Sequence, residues 1–263
     1  MRAKRSNLEE APKPSVRFTP PAPAPPPLHR DQALFLDFDG TLVDIAPSPG
    51  LVRVPAELPP LLGELIERLD GAVAVVSGRP LDELARMLVP FAGAIAGDHG
   101  LERRGSDGTV TRCLAHPELD RFRPLAAGFA ARHDGVFLED KGGSLALHYR
   151  QAPSLAARCR ALVREAVQAS SGTLAAVAGK MVIELIPRSA GKGRAIAEFL
   201  ADPPFRGRRP VFVGDDITDE DGFAAVNRLG GVSIHVGSGA TIARHNLATV
   251  SDVLAWLARG LAG

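Results

Sequence analysis

Two aspartates separated by a single residue, Asp37 and Asp39, stand directly after the apolar run Leu34-Phe35-Leu36 and just before Gly40-Thr41. On a near-extended backbone they point to the same side. Carboxylates held that close share a proton or hold a cation. One can attack phosphorus as a covalent nucleophile, and the other can move a proton to or from a leaving oxygen. Asp-Gly is also a plain turn signal, but the whole string Leu34–Thr41 points to chemistry.

Three further segments carry unusual residues after apolar runs. Val73-Ala74-Val75-Val76 leads into Ser77-Gly78-Arg79-Pro80 and then a helix with Asp82 and Glu83. A hydroxyl and unpaired backbone donors thus meet where an anion would fit, although serine before a helix is often only a cap. Ser189-Ala190-Gly191-Lys192-Gly193-Arg194 places Lys192 in a first helical turn, where a cation opposes the helix dipole unless an anion meets it. This is not a nucleotide loop, because Ile186 stands where GxxxxGK[ST] needs its first glycine and Gly193 where it needs Ser or Thr. Last, Val211-Phe212-Val213 runs into Gly214-Asp215-Asp216-Ile217-Thr218-Asp219-Glu220-Asp221, which packs five acids into seven residues. An EF-hand reading fails, since Asp221 and Asn227 occupy the positions that need glycine and glutamate. Thr218 and Asp221 have the spacing of a capping box. Asp215, nearest the strand end, is the expected metal ligand.

These segments need a scaffold that brings four strand ends together. Short apolar runs alternate with amphipathic stretches from residue 31: Ala33–Leu36, Leu58–Leu69, Val73–Val76, Leu81–Leu88 and Ala94–Ala96. The pattern returns from Val211 to the end. It predicts a parallel α/β sheet, whose ligands bind beyond the carboxyl ends of its strands. The middle reads differently, with paired strand-like runs broken by Gly142-Gly143 and by Gly179-Lys180, each pair following a helix. That predicts an antiparallel sheet with helices on one face. The expected layout is a proline-rich disordered tail at 1–30, a Rossmann-like parallel-sheet α/β core at 31–103 and 188–263, and an inserted α/β cap at 104–187. Gly105 and Gly108 on one side, and Pro187 to Gly191 on the other, are the expected hinges.

Bulk properties exclude several functions. Of 263 residues, 45% are hydrophobic and 23% charged, and the net charge of +1 offers no field for nucleic acid or an anionic membrane. No apolar run approaches the ~18 residues of a spanning helix. Cys113 and Cys159 form no metal or redox motif, so two reduced thiols in a cytoplasmic protein are expected.

In this order the four segments resemble the haloacid dehalogenase superfamily of phosphohydrolases. The resemblance implies Asp37 as nucleophile and Asp39 as general acid/base, with phosphate held by Ser77 and Lys192. It implies Mg²⁺ held by Asp37, by the main-chain carbonyl of Asp39 and by Asp215, supported by Asp216 or Asp219. Within the insert, Leu138-Glu139-Asp140-Lys141-Gly142-Gly143-Ser144-Leu145-Ala146-Leu147-His148-Tyr149-Arg150 is similar to a signature of trehalose-6-phosphate phosphatases. So are Gly97–Glu102 and Gly179–Glu184. That resemblance implies a phosphosugar substrate contacted by Glu139, Lys141, Arg150, Lys180, Glu184 and His99, and functional coupling to a trehalose-6-phosphate synthase. Alternation puts Glu139 and Lys141 on one strand face, and Lys180, Val182 and Glu184 on another; cross-strand surface ion pairs are the plainer account of them. Ile186 departs from the arginine usual in that family before the proline. Two alternatives stay open: the same chemistry on another phosphosugar, and a catalytically silent module, which would be expected to lack one of the core acids or Lys192.

Overall fold

The structure, a computed structural model, describes residues 22–47, 49–113, 116–179 and 181–261. Its elements in chain order are β1 (Gln32–Leu36), α1 (Leu58–Arg68), β2 (Val73–Val76), α2 (Leu81–Met87), β3 (Ala94–Gly97), β4 (Glu102–Arg104) and β5 (Val110–Arg112). Then follow α3 (Pro117–Ala131), β6 (Phe137–Asp140), β7 (Leu145–His148), α4 (Ala156–Ala169), β8 (Leu174–Gly179) and β9 (Val182–Pro187). The chain closes with α5 (Lys192–Leu200), β10 (Arg209–Gly214), α6 (Glu220–Arg228), β11 (Val232–Val236), β12 (His245–Leu247) and α7 (Val250–Leu261).

Eight strands form one sheet in the order β12-β11-β10-β1-β2-β3-β4-β5. The six from β12 to β3 run parallel, and β4 and β5 continue the sheet antiparallel. The expected Rossmann-like core is thus present, and its central strands read as continuous apolar runs because both faces are covered. Along β1, Leu34 and Leu36 face a core with α1, α2 and α7, while Ala33 and Phe35 face one with α5 and α6. The rings of Phe35, Phe199 and Phe205 lie 5.3–6.3 Å apart, fastening α5 and the site residue at its start to the sheet.

A second, antiparallel sheet runs β6-β7-β9-β8 and packs α3 and α4 against one face. Strand period decides which side chains face which way. Leu145, Leu147, Ile183 and Leu185 enter the helix-backed core, and the alternate residues face the other side.

Three expectations change. β5 pairs with β4, so the chain leaves the large sheet after Arg112 rather than at residue 104. Gly105 and Gly108 therefore belong to a hairpin turn, closed by the Gly105 N–H on Thr109 O at 2.9 Å, and not to a hinge. The third concerns the tail. Residues 1–21 lie outside the described residues, but 22–30 are packed on the core. The Asn246 N–H donates to Pro23 O (3.1 Å), Trp256 Nε1 donates to Pro26 O (2.9 Å), and Leu28 is buried against α7. Proline-rich backbone leaves its carbonyls without internal partners, and the edge strand β12 and helix α7 use them.

Candidate active site

Asp37 follows β1, Ser77 follows β2, and Asp215 follows β10, so the parallel sheet brings three of the four segments to one end. The fourth arrives with α5, which begins at Lys192. Lys192 is buried, and its Nζ donates to Asp37 Oδ1 and to Asp219 Oδ1, both at 2.6 Å. It is not the solvated lysine that a first helical turn normally carries. Burial opposes its charge, yet Asp219 and Asp37 outweigh that and hold the ammonium above its usual pKa.

Asp219 is wholly buried and accepts the backbone N–H groups of Asp215 and Asp216, each at 3.0 Å. Asp216 and Asp219 form the capping box of this turn, not Thr218 and Asp221. Of these two acids Asp219 touches Lys192, while Asp216 caps the turn. Carboxylate oxygens of Asp37, Asp215 and Asp219 lie within 4.8 Å of one another. Burial first, and the neighbouring acids next, push Asp37 well above the usual carboxylate range despite Lys192. The same causes push Asp215 up to about 6.

Three clustered acids against one lysine leave negative charge that a divalent cation would balance. All-oxygen donors suit a hard cation. Gly40 shapes the cradle: its φ is +81°, and a Cβ there would lie 2.0 Å from Asp215 Oδ2. The residues present therefore fit a divalent metal ion.

Asp39 takes a different partner. Its carboxylate receives Arg79 Nε at 2.6 Å and a second guanidinium N–H at 2.8 Å, while Arg79 also pairs with Glu83 and lies over the Phe38 ring. Sequence reasoning missed Arg79; its signal was an arginine in the same strand-end segment as Ser77. Ser77 Oγ accepts the Arg79 N–H at 3.2 Å.

Above this floor stands a cavity of about 810 Å³ between the two sheets, lined by all the expected core residues and by Glu139, Lys141, Arg150, Glu184 and His99. Lys180 lies outside the described residues. The ion pairs differ from those the strand pattern suggested. Lys141 Nζ donates to Gly78 O (2.9 Å) and to Glu184 (3.3 Å), and Glu184 also meets His99 Nε2 at 2.9 Å. Glu139 pairs instead with His148 at 2.8 Å. Glu184 is held down at about 2, because the bonds and charges of His99 and Lys141 overcome its burial. His99 sits in a left-handed turn (φ 55°) whose backbone also reaches Ser77 O and Gly191 N, so both phosphate-side segments meet there. Its neighbour Asp98 is a buried acid at the contact between the two sheets. It accepts the Ser144 hydroxyl through Oδ1, while Oδ2 has no hydrogen-bond partner. Burial raises it to about 6.

The family profile described as Trehalose-phosphatase matches residues 35–253, which spans both sheets and every segment above. The chain belongs to the trehalose-phosphatase family. Trehalose-6-phosphate phosphatase of Escherichia coli K12 is 43% identical to it over 243 residues, covering 91% of this chain and 90% of that one. The C-terminal domain of C. albicans trehalose-6-phosphate phosphatase shares the fold, with TM-score 0.78 at 22% identity, covering 92% and 98% of the two chains. A haloacid dehalogenase-like hydrolase from Bacteroides thetaiotaomicron shares it too, at TM-score 0.65 and 15% identity, over 88% of this chain and 99% of that one. This member of the trehalose-phosphatase family therefore has the haloacid dehalogenase fold with an antiparallel cap.

Proposed function

We propose that this chain hydrolyses trehalose 6-phosphate to trehalose and inorganic phosphate, with Asp37 as nucleophile and Mg²⁺ as cofactor. The observation that carries this is the buried Asp37–Lys192–Asp219 cluster on the floor of a cavity whose cap wall presents Glu139, Lys141 and Glu184.

Asp37 and Asp215 would hold the ion, with Asp219 behind them. When bound, Mg²⁺ supplies positive charge to the phosphoryl oxygens. A buried carboxylate is a poor nucleophile while protonated, and Lys192, 2.6 Å from Asp37, favours the ionised form. Asp37 attacks phosphorus, the bond from phosphorus to the sugar oxygen breaks, and Asp39, turned from Arg79 and protonated in the substrate complex, gives that oxygen its proton. A water molecule then passes a proton to Asp39 and attacks the phosphoryl group on Asp37. The bond from phosphorus to Asp37 breaks, phosphate leaves, and both aspartates return to their starting states. Ser77 already accepts from the Arg79 N–H, which leaves its hydroxyl hydrogen to donate to a phosphoryl oxygen. Positioned donors and cations of this kind supply most of the barrier reduction in phosphoryl transfer.

The sugar falls to the cap. Glu139, Lys141 and Glu184 supply donors and acceptors for hydroxyls, with Arg150 on the same wall and His99 on the core side. Lys180 would join them. In this conformation Lys141 and Glu184 also bridge cap to core through Gly78 and His99, which closes the cavity over the floor. A cytoplasmic location and coupling to a synthase that supplies the substrate belong to the same proposal. Both described cysteines are free thiols, and among the described residues no helix is long and apolar enough to cross a membrane.

The test is phosphate release from trehalose 6-phosphate, glucose 6-phosphate and sucrose 6-phosphate, with Mg²⁺ and with EDTA. Mg²⁺-dependent release from trehalose 6-phosphate alone is expected, and Asp37→Asn should fold yet lose at least about a thousandfold in rate. Release from a different sugar would reassign the substrate, and substantial turnover by Asp37→Asn would remove it as nucleophile.

A further inference from the structure

The floor and lower wall of the cavity are accounted for by charged groups, but its mouth is not. Two large apolar side chains are exposed there, one from each module: Phe137 on β6, 63% exposed, and Ile45 on the core, 51% exposed. Leaving such surface in water carries a cost that packing elsewhere in the chain avoids. Among the described phenylalanines, Phe137 alone is exposed. Its strand does not need it for the core, because the neighbouring Leu138 packs there.

Strand period places Phe137, Glu139 and Lys141 on one face, each step of two residues advancing about 7 Å. Lys141 is the inner end of this row, since its ammonium reaches Gly78 O beside the phosphate-side serine. Phe137 is the outer end, about 14 Å along the strand. Its ring is not loosely placed. It lies 5.9 Å from the His148 imidazole, at 41° to it, and Glu139 holds that imidazole at 2.8 Å.

We propose that Phe137 is a specificity-determining residue that stacks on the outer, unphosphorylated ring of the disaccharide, with Ile45 closing on that ring from the core side. This rests on the proposed function. A pyranose ring has one or both faces lined with C–H groups, which pack on an aromatic face, while its hydroxyls project sideways to hydrogen-bonding groups. Glu139 and Arg150 lie on the same wall to meet them. Pockets that grip such ligands combine apolar and aromatic walls with a few placed polar groups. A sugar phosphate with a single ring, fixed by its phosphate at Asp37, gains nothing from Phe137. A disaccharide phosphate does, so the contact discriminates by length.

The experiment compares wild type with Phe137→Ala and Phe137→Trp. For trehalose 6-phosphate, Phe137→Ala should raise KM about tenfold with kcat near wild type, and Phe137→Trp should keep a low KM. Inhibition by inorganic phosphate, which needs only the floor, should be the same in all three. A KM for Phe137→Ala within twofold of wild type overturns the proposal. So does a parallel loss of phosphate inhibition, which would mark a general disturbance of the site. Binding gives a readout independent of turnover. The native tryptophan, Trp256, is buried in α7, so a change in emission on adding trehalose that is present in Phe137→Trp and absent in wild type reports contact at the mouth. If wild type fails to hydrolyse trehalose 6-phosphate, the proposed function falls. The emission titration then still decides whether Phe137 touches the sugar, and no change with trehalose overturns that contact.

Discussion

Lys192 is the one positive charge between two buried carboxylates, so its removal is a direct test of how the site is balanced. Lys192→Met keeps most of the stem volume and deletes the charge. Asp37 and Asp219 are then left buried and uncompensated, and breaking a buried pair in this way costs about 3–5 kcal/mol. For a domain of this size each kcal/mol moves Tm by about 2–4 °C, so the loss is about 6–20 °C in EDTA at pH 7.5. Mg²⁺ should restore part of this, since a ligand at a hundred times its Kd contributes about 2.7 kcal/mol. The pH dependence has a definite sign. Burial already raises the folded-state pKa of Asp37 and Lys192 holds it down, so without Lys192 it rises further and the folded protein binds more protons than the unfolded chain. The deficit is therefore largest above the raised Asp37 value and shrinks as pH falls toward the unfolded value near 3.9. Thermal unfolding at pH 5.5 and 7.5, with and without Mg²⁺, measures all three effects. A Tm for Lys192→Met within 2 °C of wild type in EDTA at pH 7.5, on the scale of about one kcal/mol, would refute the charge-balance argument. Adding Asp219→Asn to the variant should recover part of the loss, because the two sites share one contact.

The metal-free wild type should itself lose stability as pH rises from about 4 to 6, because burial and neighbouring acids raise Asp37 and bring Asp215 to about 6. Saturating Mg²⁺ should flatten that slope in a thermal-shift series, and an equal slope with and without the ion would count against these acids as its site. Asp98→Asn removes a buried acid whose raised value of about 6 likewise costs stability above that pH. The variant should gain on the order of 2–3 kcal/mol at pH 8, about a third of that at pH 4.5 and nothing near pH 3, and a gain of equal size at pH 8 and pH 3 would show that charge is not the cause. Gly40→Ala forces a side chain into a left-handed backbone and onto Asp215 Oδ2. It should cost about 1–3 kcal/mol and abolish the Mg²⁺-dependent rise in Tm; a rise equal to wild type would show that Asp215 is not held by this contact.

What the sequence determined by itself was local or periodic. Apolar runs such as Val73–Val76 can only be strands covered on both faces, and the residues just beyond them must then gather at one end of the sheet. That is why Asp37, Ser77 and Asp215 were legible as one site before any fold was known. The runs Thr173–Ala178 and Met181–Ile186, broken by Gly179-Lys180, likewise predicted an antiparallel hairpin, and Leu174–Gly179 does pair antiparallel with Val182–Pro187. Tertiary structure alone decided the partners. Lys192 and Asp37 are 155 positions apart, and Arg79 and Asp39 are 40 apart. No periodicity links such residues, because their approach depends on how whole elements pack. Glu139 was grouped with Lys141 by alternation, but the register of β6 on β7 brings His148 within its reach, while Lys141 crosses to Glu184. Residues 22–30 read as a loose proline-rich tail because they have no pattern of their own. Their anchors, an edge-strand amide and the Trp256 indole, lie more than 200 positions away and exist only once the core has folded.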